Sequence, residues 1–330
     1  MSVVVTGANG GLGSAIVKEL ADPKYSSCHA IYTVRDATRV PELTSDPALE
    51  VVSLDLTDLD NVRQVAKAIN ARVFSGEIPP IQALILNAGF QDFGKQSWTS
   101  QGLDTTFAAN YLGHWLLTLL LLQSMNKAAG RIVYMGSQAH ESPKRAYWCL
   151  HGPEVQDLRP GRGQLPRHRG GKVEPGDRRR GLPRGYRRYG ASKLFLVMMQ
   201  HELQARLDAD RDLGRLCVVG VDPGVMSTGM QRLAPWVIRV LIFKIIYPLV
   251  QFVSPSSGPR PTSRAAGEVL EAAFGKQGGD ELPKDRYMFE GSERETGEES
   301  RDVAKRTVVW KETVALTGLK EGDTVLANWQ

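Results

Sequence analysis

The sequence predicts an α/β fold in which a parallel sheet is covered by helices on both faces, the doubly wound arrangement. Three observations carry this. Short apolar runs alternate with helical stretches along the first two thirds of the chain. The first run, Val3-Val4-Val5, is β-branched throughout, as a strand buried on both faces requires. It leads directly into a glycine-rich turn, Thr6 to Gly13, and then into a helix, so strand, turn and helix form one unit.

The elements follow in order. After the turn, a helix is expected over Ser14 to Leu20. Ala30 to Val34 is the second strand and ends at Arg35-Asp36. Val51 to Leu54 is the third strand, followed by a polar-capped helix from Asp58 to Ala71. Ala83 to Leu86 is the fourth strand and ends at Asn87-Ala88-Gly89. A long helix spans Thr105 to Met125, Arg131 to Met135 is the fifth strand, Leu194 to Leu207 a helix, and Leu216 to Val221 the sixth strand. Parallel neighbours need right-handed crossovers, which distributes the helices over both faces.

Two segments break this rhythm. From Arg159 to Arg188 there are eleven Lys/Arg against two Asp/Glu, more positive than the +5 of the whole chain, so the remainder is net acidic. The basic character therefore belongs to one segment and does not describe a nucleic-acid-binding surface. Residues 150–188, rich in Arg, Gly and Pro, read as a long disordered insertion. A frame slip in the gene and an acidic or RNA partner stand as the alternatives. Leu233 to Val253 is strongly apolar but carries Arg239 and Lys244, charges costly in lipid, and is interrupted by Pro248. It reads as part of the core and of a substrate cover over residues 229–260, not as a transmembrane helix, with contact to a membrane surface as the alternative.

Cys28, Cys149 and Cys217 form no C-x-x-C pair, and no histidine spacing suggests a metal site, so no metal is expected. A strand beginning directly after Met1 leaves no room for a signal peptide ahead of it, and a cytoplasmic location is expected. Residues 1–275 form the expected catalytic domain, with 276–330 as a C-terminal extension packed on it. Within that extension, Glu293 to Lys311 reads as a solvated helix. A small-molecule substrate is expected, with a homo-oligomer left open.

The glycine turn points to phosphate chemistry. Glycines let the backbone approach a pyrophosphate, and the following helix presents unpaired N–H groups and a partial positive charge. At the end of the second strand, a basic residue accommodates the 2′-phosphate of NADP, whereas an acidic one favours the ribose hydroxyl of NAD. Arg35 stands there and favours NADP. Asp36 follows it and keeps NAD open. Tyr189 and Lys193 are four residues apart, on one face of a helix. Hydride addition to a carbonyl leaves an alkoxide that needs a proton. A phenol whose pKa is lowered by an adjacent ammonium can supply or remove it. Ser137, just past the fifth strand, is placed to hydrogen-bond the developing alkoxide.

Taken together, Thr6-Gly7-Ala8-Asn9-Gly10-Gly11-Leu12-Gly13, Leu54-Asp55-Leu56, Asn87-Ala88-Gly89, Asn110, Ser137, Tyr189-Gly190-Ala191-Ser192-Lys193 and Pro223-Gly224 resemble the short-chain dehydrogenase/reductase family, fungal-type members included, some of which serve secondary metabolism. The resemblance covers roughly residues 2–230 and implies a single Rossmann-type domain. It implies cofactor contacts from Thr6, Gly7, Gly11, Leu12, Gly13, Arg35, Asp55 (to adenine), Asn87 (along the ribose), Tyr189, Lys193, Val225 and Thr228. It implies a catalytic set of Ser137, Tyr189, Lys193 and Asn110, the last helping to hold a water relay to the lysine. Two departures stand out. Gly136 occupies a place where the family commonly has another serine, and Ser137 and Tyr189 are farther apart than is usual. The expected function is hydride transfer between NADP(H) and a carbonyl or alcohol of an apolar small molecule. The alternative is a cofactor-binding sensor or scaffold without turnover.

Overall fold

A computed structural model describes residues 1–92, 96–141, 182–226, 260–275 and 282–330. The sheet has eight strands in the order β3-β2-β1-β4-β5-β6-β7-β8. These are β1 (Ser2–Thr6), β2 (His29–Val34), β3 (Glu50–Ser53), β4 (Ile81–Leu86), β5 (Arg131–Met135), β6 (Cys217–Asp222), β7 (Arg286–Phe289) and β8 (Ser292–Glu293). β1 to β7 pair in parallel, and β8 returns antiparallel along β7. The central strands are apolar at successive positions: Val3, Val4 and Val5 are fully buried, so both faces are covered.

Helices α1 (Gly11–Leu20) and α5 (Thr262–Phe274) pack on one face. Helices α2 (Leu59–Phe74), α3 (Thr105–Ser124), α4 (Leu182–Ala209) and α6 (Val303–Thr317) build the larger core on the other. β1 and β4 are neighbours in the sheet, and the winding direction reverses between them. In open α/β sheets that reversal opens a crevice at the carboxyl ends of the strands, where ligands bind.

Four expectations change. α4 begins at Leu182, not at Leu194, so the end of the Arg-rich segment is helical and not loop. The Nε of its buried Arg188 is ion-paired with Asp92 (2.7 Å) and Asp104 (3.7 Å), which gives two carboxylate partners to a charge that composition alone reads as solvated. The long α3 is not uniform: Ala108–Leu112 is a π-helical turn, a local widening frequent at functional sites. Strands β7 and β8 were not anticipated, because their short runs are embedded in charged sequence. Finally, α6 is not a solvated helix. Trp310, Thr313 and Thr317 form a buried stripe, and Arg306 turns inward to pair with Glu202 of α4 at 3.9 Å. Trp310 meets Trp115 edge-on at 5.0 Å, and Thr313 shares a 2.8 Å hydrogen bond with the Tyr111 hydroxyl.

Among the described residues, α3 is the one helix long and apolar enough to cross a membrane, and it is almost entirely enclosed by the rest of the fold. Residues 150–181 of the expected insertion lie outside the described residues, as do 229–259 of the expected cover, Thr228 and Cys149.

Candidate active site

The site begins where β1 ends. Gly7 has φ +68°, the left-handed region, and a Cβ there would lie 2.8 Å from Ala88 Cα on the neighbouring strand end. A Cβ on Gly13 would lie 2.1 Å from the Gly7 carbonyl oxygen. Gly7 is thus required by conformation and by contact, and Gly13 by contact alone. The turn is pinned by the Ala8 N–H, which donates to the Thr33 carbonyl (3.0 Å), and by Asn87 Nδ2, which donates to the carbonyls of Thr6 (2.8 Å) and Gly7 (3.1 Å). No side chain caps the N-terminus of α1, so its first N–H groups face the cleft. The cleft holds about 480 Å³ and runs from Arg35 and Arg39 at one end, past the glycine turn, to Tyr189 and Lys193 at the other.

At the Arg35 end, the Asp36 carboxylate is already engaged. It accepts from the Thr38 N–H (3.0 Å) and hydroxyl (2.6 Å) and pairs with Arg39 Nε at 3.0 Å. Thr38's hydrogen bonds hold it below the usual carboxylate range. Arg35 and Arg39 both line the cleft there. Asp55 lines it too, with Oδ1 accepting from the Thr57 N–H (2.9 Å) and hydroxyl (2.7 Å).

At the other end, β5 stops at Met135, and Ser137 follows two residues later. Tyr189 and Lys193 descend from α4 into the same space. The Tyr189 hydroxyl lies near enough to the Ser137 side chain for the serine to favour phenolate, and Lys193 Nζ donates to the Met135 carbonyl at 2.8 Å and lies 5.6 Å from the Tyr189 ring centre. The expected ammonium effect on the phenol is not what dominates. Burial pushes Tyr189 up to about 12, opposed by the Ser137 hydrogen bond, and pushes Lys193 down to about 8, opposed by Asp222. At neutral pH, the phenol therefore holds its proton.

Asn110 lies in the π-helical turn, fully buried. Its Oδ1 accepts from the Phe90 N–H (2.7 Å), while its Nδ2 donates to the Phe90 carbonyl (2.8 Å) and to Ser192 Oγ (3.0 Å). Ser192 in turn donates to the Tyr189 carbonyl at 2.7 Å. The Asn110 amide thus joins the loop after β4 to the helix carrying Tyr189 and Lys193. Its own carbonyl accepts from His114 Nδ1 (3.2 Å), whose Nε2 accepts from the Thr6 hydroxyl (2.9 Å). His114 is therefore a neutral brace, held by burial down to about 3.

Thr6 itself is fully buried, with its hydroxyl also accepting the Ala88 N–H (3.0 Å), and it does not line the cleft. Gly7, Gly11, Leu12, Gly13 and Asn87 do line it. Val225 is 53% exposed and lies outside the cleft lining. Sequence reasoning missed Arg39, Arg188 and a buried group behind Ser137 made of His140, Asp222 and Tyr287. Arg39 had a signal, since it lies one turn beyond Arg35. The others are brought in by tertiary contacts and have no local pattern.

The sequence model described as short chain dehydrogenase matches residues 1–148. The short-chain dehydrogenase iccH of Talaromyces variabilis is 36% identical in an alignment covering 100% of this chain and 99% of that protein. The chain belongs to the short-chain dehydrogenase family. Another member, the polyprenol dehydrogenase of Mus musculus, is 29% identical over 99% of this chain and 86% of its own length. Among solved structures, a Mycobacterium paratuberculosis protein aligns over 97% of this chain and 94% of its own with a TM-score of 0.61 at 23% identity, a likeness of fold. As a short-chain dehydrogenase, the protein is an oxidoreductase of a family that acts on CH–OH and C=O groups with nicotinamide cofactors.

Proposed function

We propose that this short-chain dehydrogenase is an NADP(H)-dependent enzyme that transfers a hydride between nicotinamide and the carbonyl or alcohol carbon of an apolar small molecule. The observation that carries the reading is the convergence of a proton-holding phenol and a lysine at one end of a cleft, beside Gly136 that precedes Ser137, while the other end of the cleft holds two arginines.

The cleft fits a dinucleotide. A turn in which Cβ atoms at Gly7 and Gly13 would collide with backbone leaves room for a pyrophosphate against the N-terminus of α1. Arg35 and Arg39 would hold the 2′-phosphate. Asp36, committed to Thr38 and Arg39, is a poor partner for a ribose hydroxyl, and this favours NADP over NAD. Asp55, Asn87 and Lys193 would hold the adenine and ribose parts. When bound, the nicotinamide supplies or accepts the hydride.

Within that frame, Tyr189 gives a proton to the nascent alkoxide in reduction and recovers it in oxidation. Ser137 hydrogen-bonds the same oxygen, and Lys193, largely protonated at neutral pH, stabilises phenolate as it forms. A phenol raised to about 12 is protonated at neutral pH, the form that reduction uses as the proton donor. An apolar substrate is supported by Phe90 and Met226 in the cleft lining, and by the polyprenol substrate that one relative's name states.

The test is a panel of ketones, aldehydes and alcohols assayed with NADPH, NADH and their oxidised forms. The expected result is NADPH consumption with an apolar carbonyl compound and weaker use of NADH. Tight NADPH binding without turnover across the panel would support a cofactor-binding sensor instead.

A further inference from the structure

Tyr287, the second residue of β7, is 2% exposed, and two glycines, one in β6 and one just past β5, make room for it. A Cβ on Gly220 in β6 would lie 2.5 Å from its ring, and a Cβ on Gly136 would lie 2.3 Å from its hydroxyl oxygen. Any other residue at 136 requires Tyr287 to move.

The polar contacts of this ring lead to Ser137 through His140. The Tyr287 hydroxyl lies 3.5 Å from His140 Nδ1 and donates to Asp222 Oδ2 at 3.5 Å. His140 grips Ser137: its Nδ1 donates to the Ser137 carbonyl at 2.6 Å. The Gly297 N–H donates to His140 Nε2 at 3.3 Å, which fixes that tautomer, and the imidazole meets the Tyr287 ring edge-on at 5.1 Å. Asp222 is itself tied by the Gly224 N–H at 2.9 Å. The C=O of Ser137 is thus held by the His140 side chain, which is backed by a ring from the C-terminal part of the chain. This occurs just beyond the end of β5 and next to a glycine, where the backbone has most freedom to lose.

We propose that Tyr287, with His140, is a positioning residue for Ser137: it holds the serine's backbone from behind, in the volume that a side chain at 136 would otherwise take. The proposal rests on the reading of Ser137 and Tyr189 as the proton-transfer pair. A hydroxyl that must meet a developing alkoxide has to be held within a fraction of an ångström, and a backbone whose carbonyl is gripped and whose rear is filled by a ring does this.

Three measurements on the full chain test it. Amide hydrogen exchange at His140, whose N–H donates to the Ser137 carbonyl at 3.1 Å, should quicken by roughly fivefold in Tyr287→Ala, which removes the ring behind that turn, with exchange in β5 unchanged. An unchanged His140 amide overturns the proposal. Gly136→Ser should lower the melting temperature sharply, and Gly136→Ser with Tyr287→Ala should recover part of the loss. No recovery means that the two positions do not compete for one space. With the compound that the wild-type chain turns over, Tyr287→Phe should lower kcat with KM little changed, and the effect should vanish in a Ser137→Ala background. Losses that multiply would show an effect independent of Ser137 and overturn the proposal. If Ser137→Ala and Tyr189→Phe leave turnover intact, the functional reading fails, and the exchange and melting results still show whether the grip exists.

Discussion

The two ends of the cleft are built by different means. The phosphate end comes from contiguous chain, Thr6 to Gly13, and from backbone: a left-handed glycine, a glycine seated on a carbonyl, and the open N-terminus of α1. The end proposed for proton transfer comes from side chains supplied by α4, β6, β7 and the segment just past β5, separated by long stretches of sequence. The first should be sensitive to added volume and tolerant of side-chain chemistry. The second should be sensitive to single functional groups.

The largest expected effect tests the second half of that contrast. Tyr189→Phe should reduce turnover by about 10²–10⁴-fold while NADPH binding, followed by fluorescence, stays within a few-fold of wild type. Near-normal turnover would remove Tyr189 from the chemistry. Next, Gly13→Ala tests the first half. Its methyl would meet the Gly7 carbonyl at 2.1 Å, so a destabilisation toward the upper part of the usual overpacking range of about 1–3 kcal/mol is expected in denaturant titration, together with loss of cofactor binding. A stable variant that binds NADPH normally would show that the turn has slack.

A smaller effect is expected from Arg35→Ala, which should weaken NADPH by roughly tenfold to a hundredfold, the worth of charge-assisted hydrogen bonds, and leave NADH nearly unchanged. Equal losses would mean that Arg35 does not read the 2′-phosphate. The smallest effect concerns His114, which braces the two ends by joining Thr6 to Asn110. Its folded pKa, about 3, lies below the ordinary 6.5, so the unfolded chain binds the proton first as pH falls. Its contribution is therefore present above pH 6.5 and lost progressively toward pH 3, with a loss on the order of 1 kcal/mol by pH 5.5. Urea titrations at pH 7.5 and 5.5 should show this drop, and His114→Gln should show less of it.

The same contrast explains what could be read in advance. The glycine turn, the first six strands and the Tyr189–Lys193 spacing are local patterns, and periodicity or a short motif reports them. The early start of α4 was hidden because Arg187 and Arg188 look solvated until Asp92 and Asp104 are brought to Arg188 by the fold. The inner face of α6 was masked by its charges, although Trp310, Thr313 and Thr317 fall at helical spacing. The π-helical turn at Asn110 has no sequence signal of its own, because it is set by what its amide must reach: Phe90 and Ser192. Lys193's effect on Tyr189 was overestimated because spacing reports proximity and says nothing of desolvation.

The ion pair at Arg188 bears on the length of chain between Ser137 and Tyr189. It lies one residue ahead of the phenol and moors α4 to the segment after β4, with Gln96 donating to Asp104 at 3.1 Å and the Asp104 carboxylate accepting the Phe107 N–H at 3.0 Å. Whatever path residues 142–181 take, any pull they exert meets this mooring before it reaches Tyr189. Evolution could then lengthen, shorten or rewrite that stretch while the aim of the phenol stayed constant.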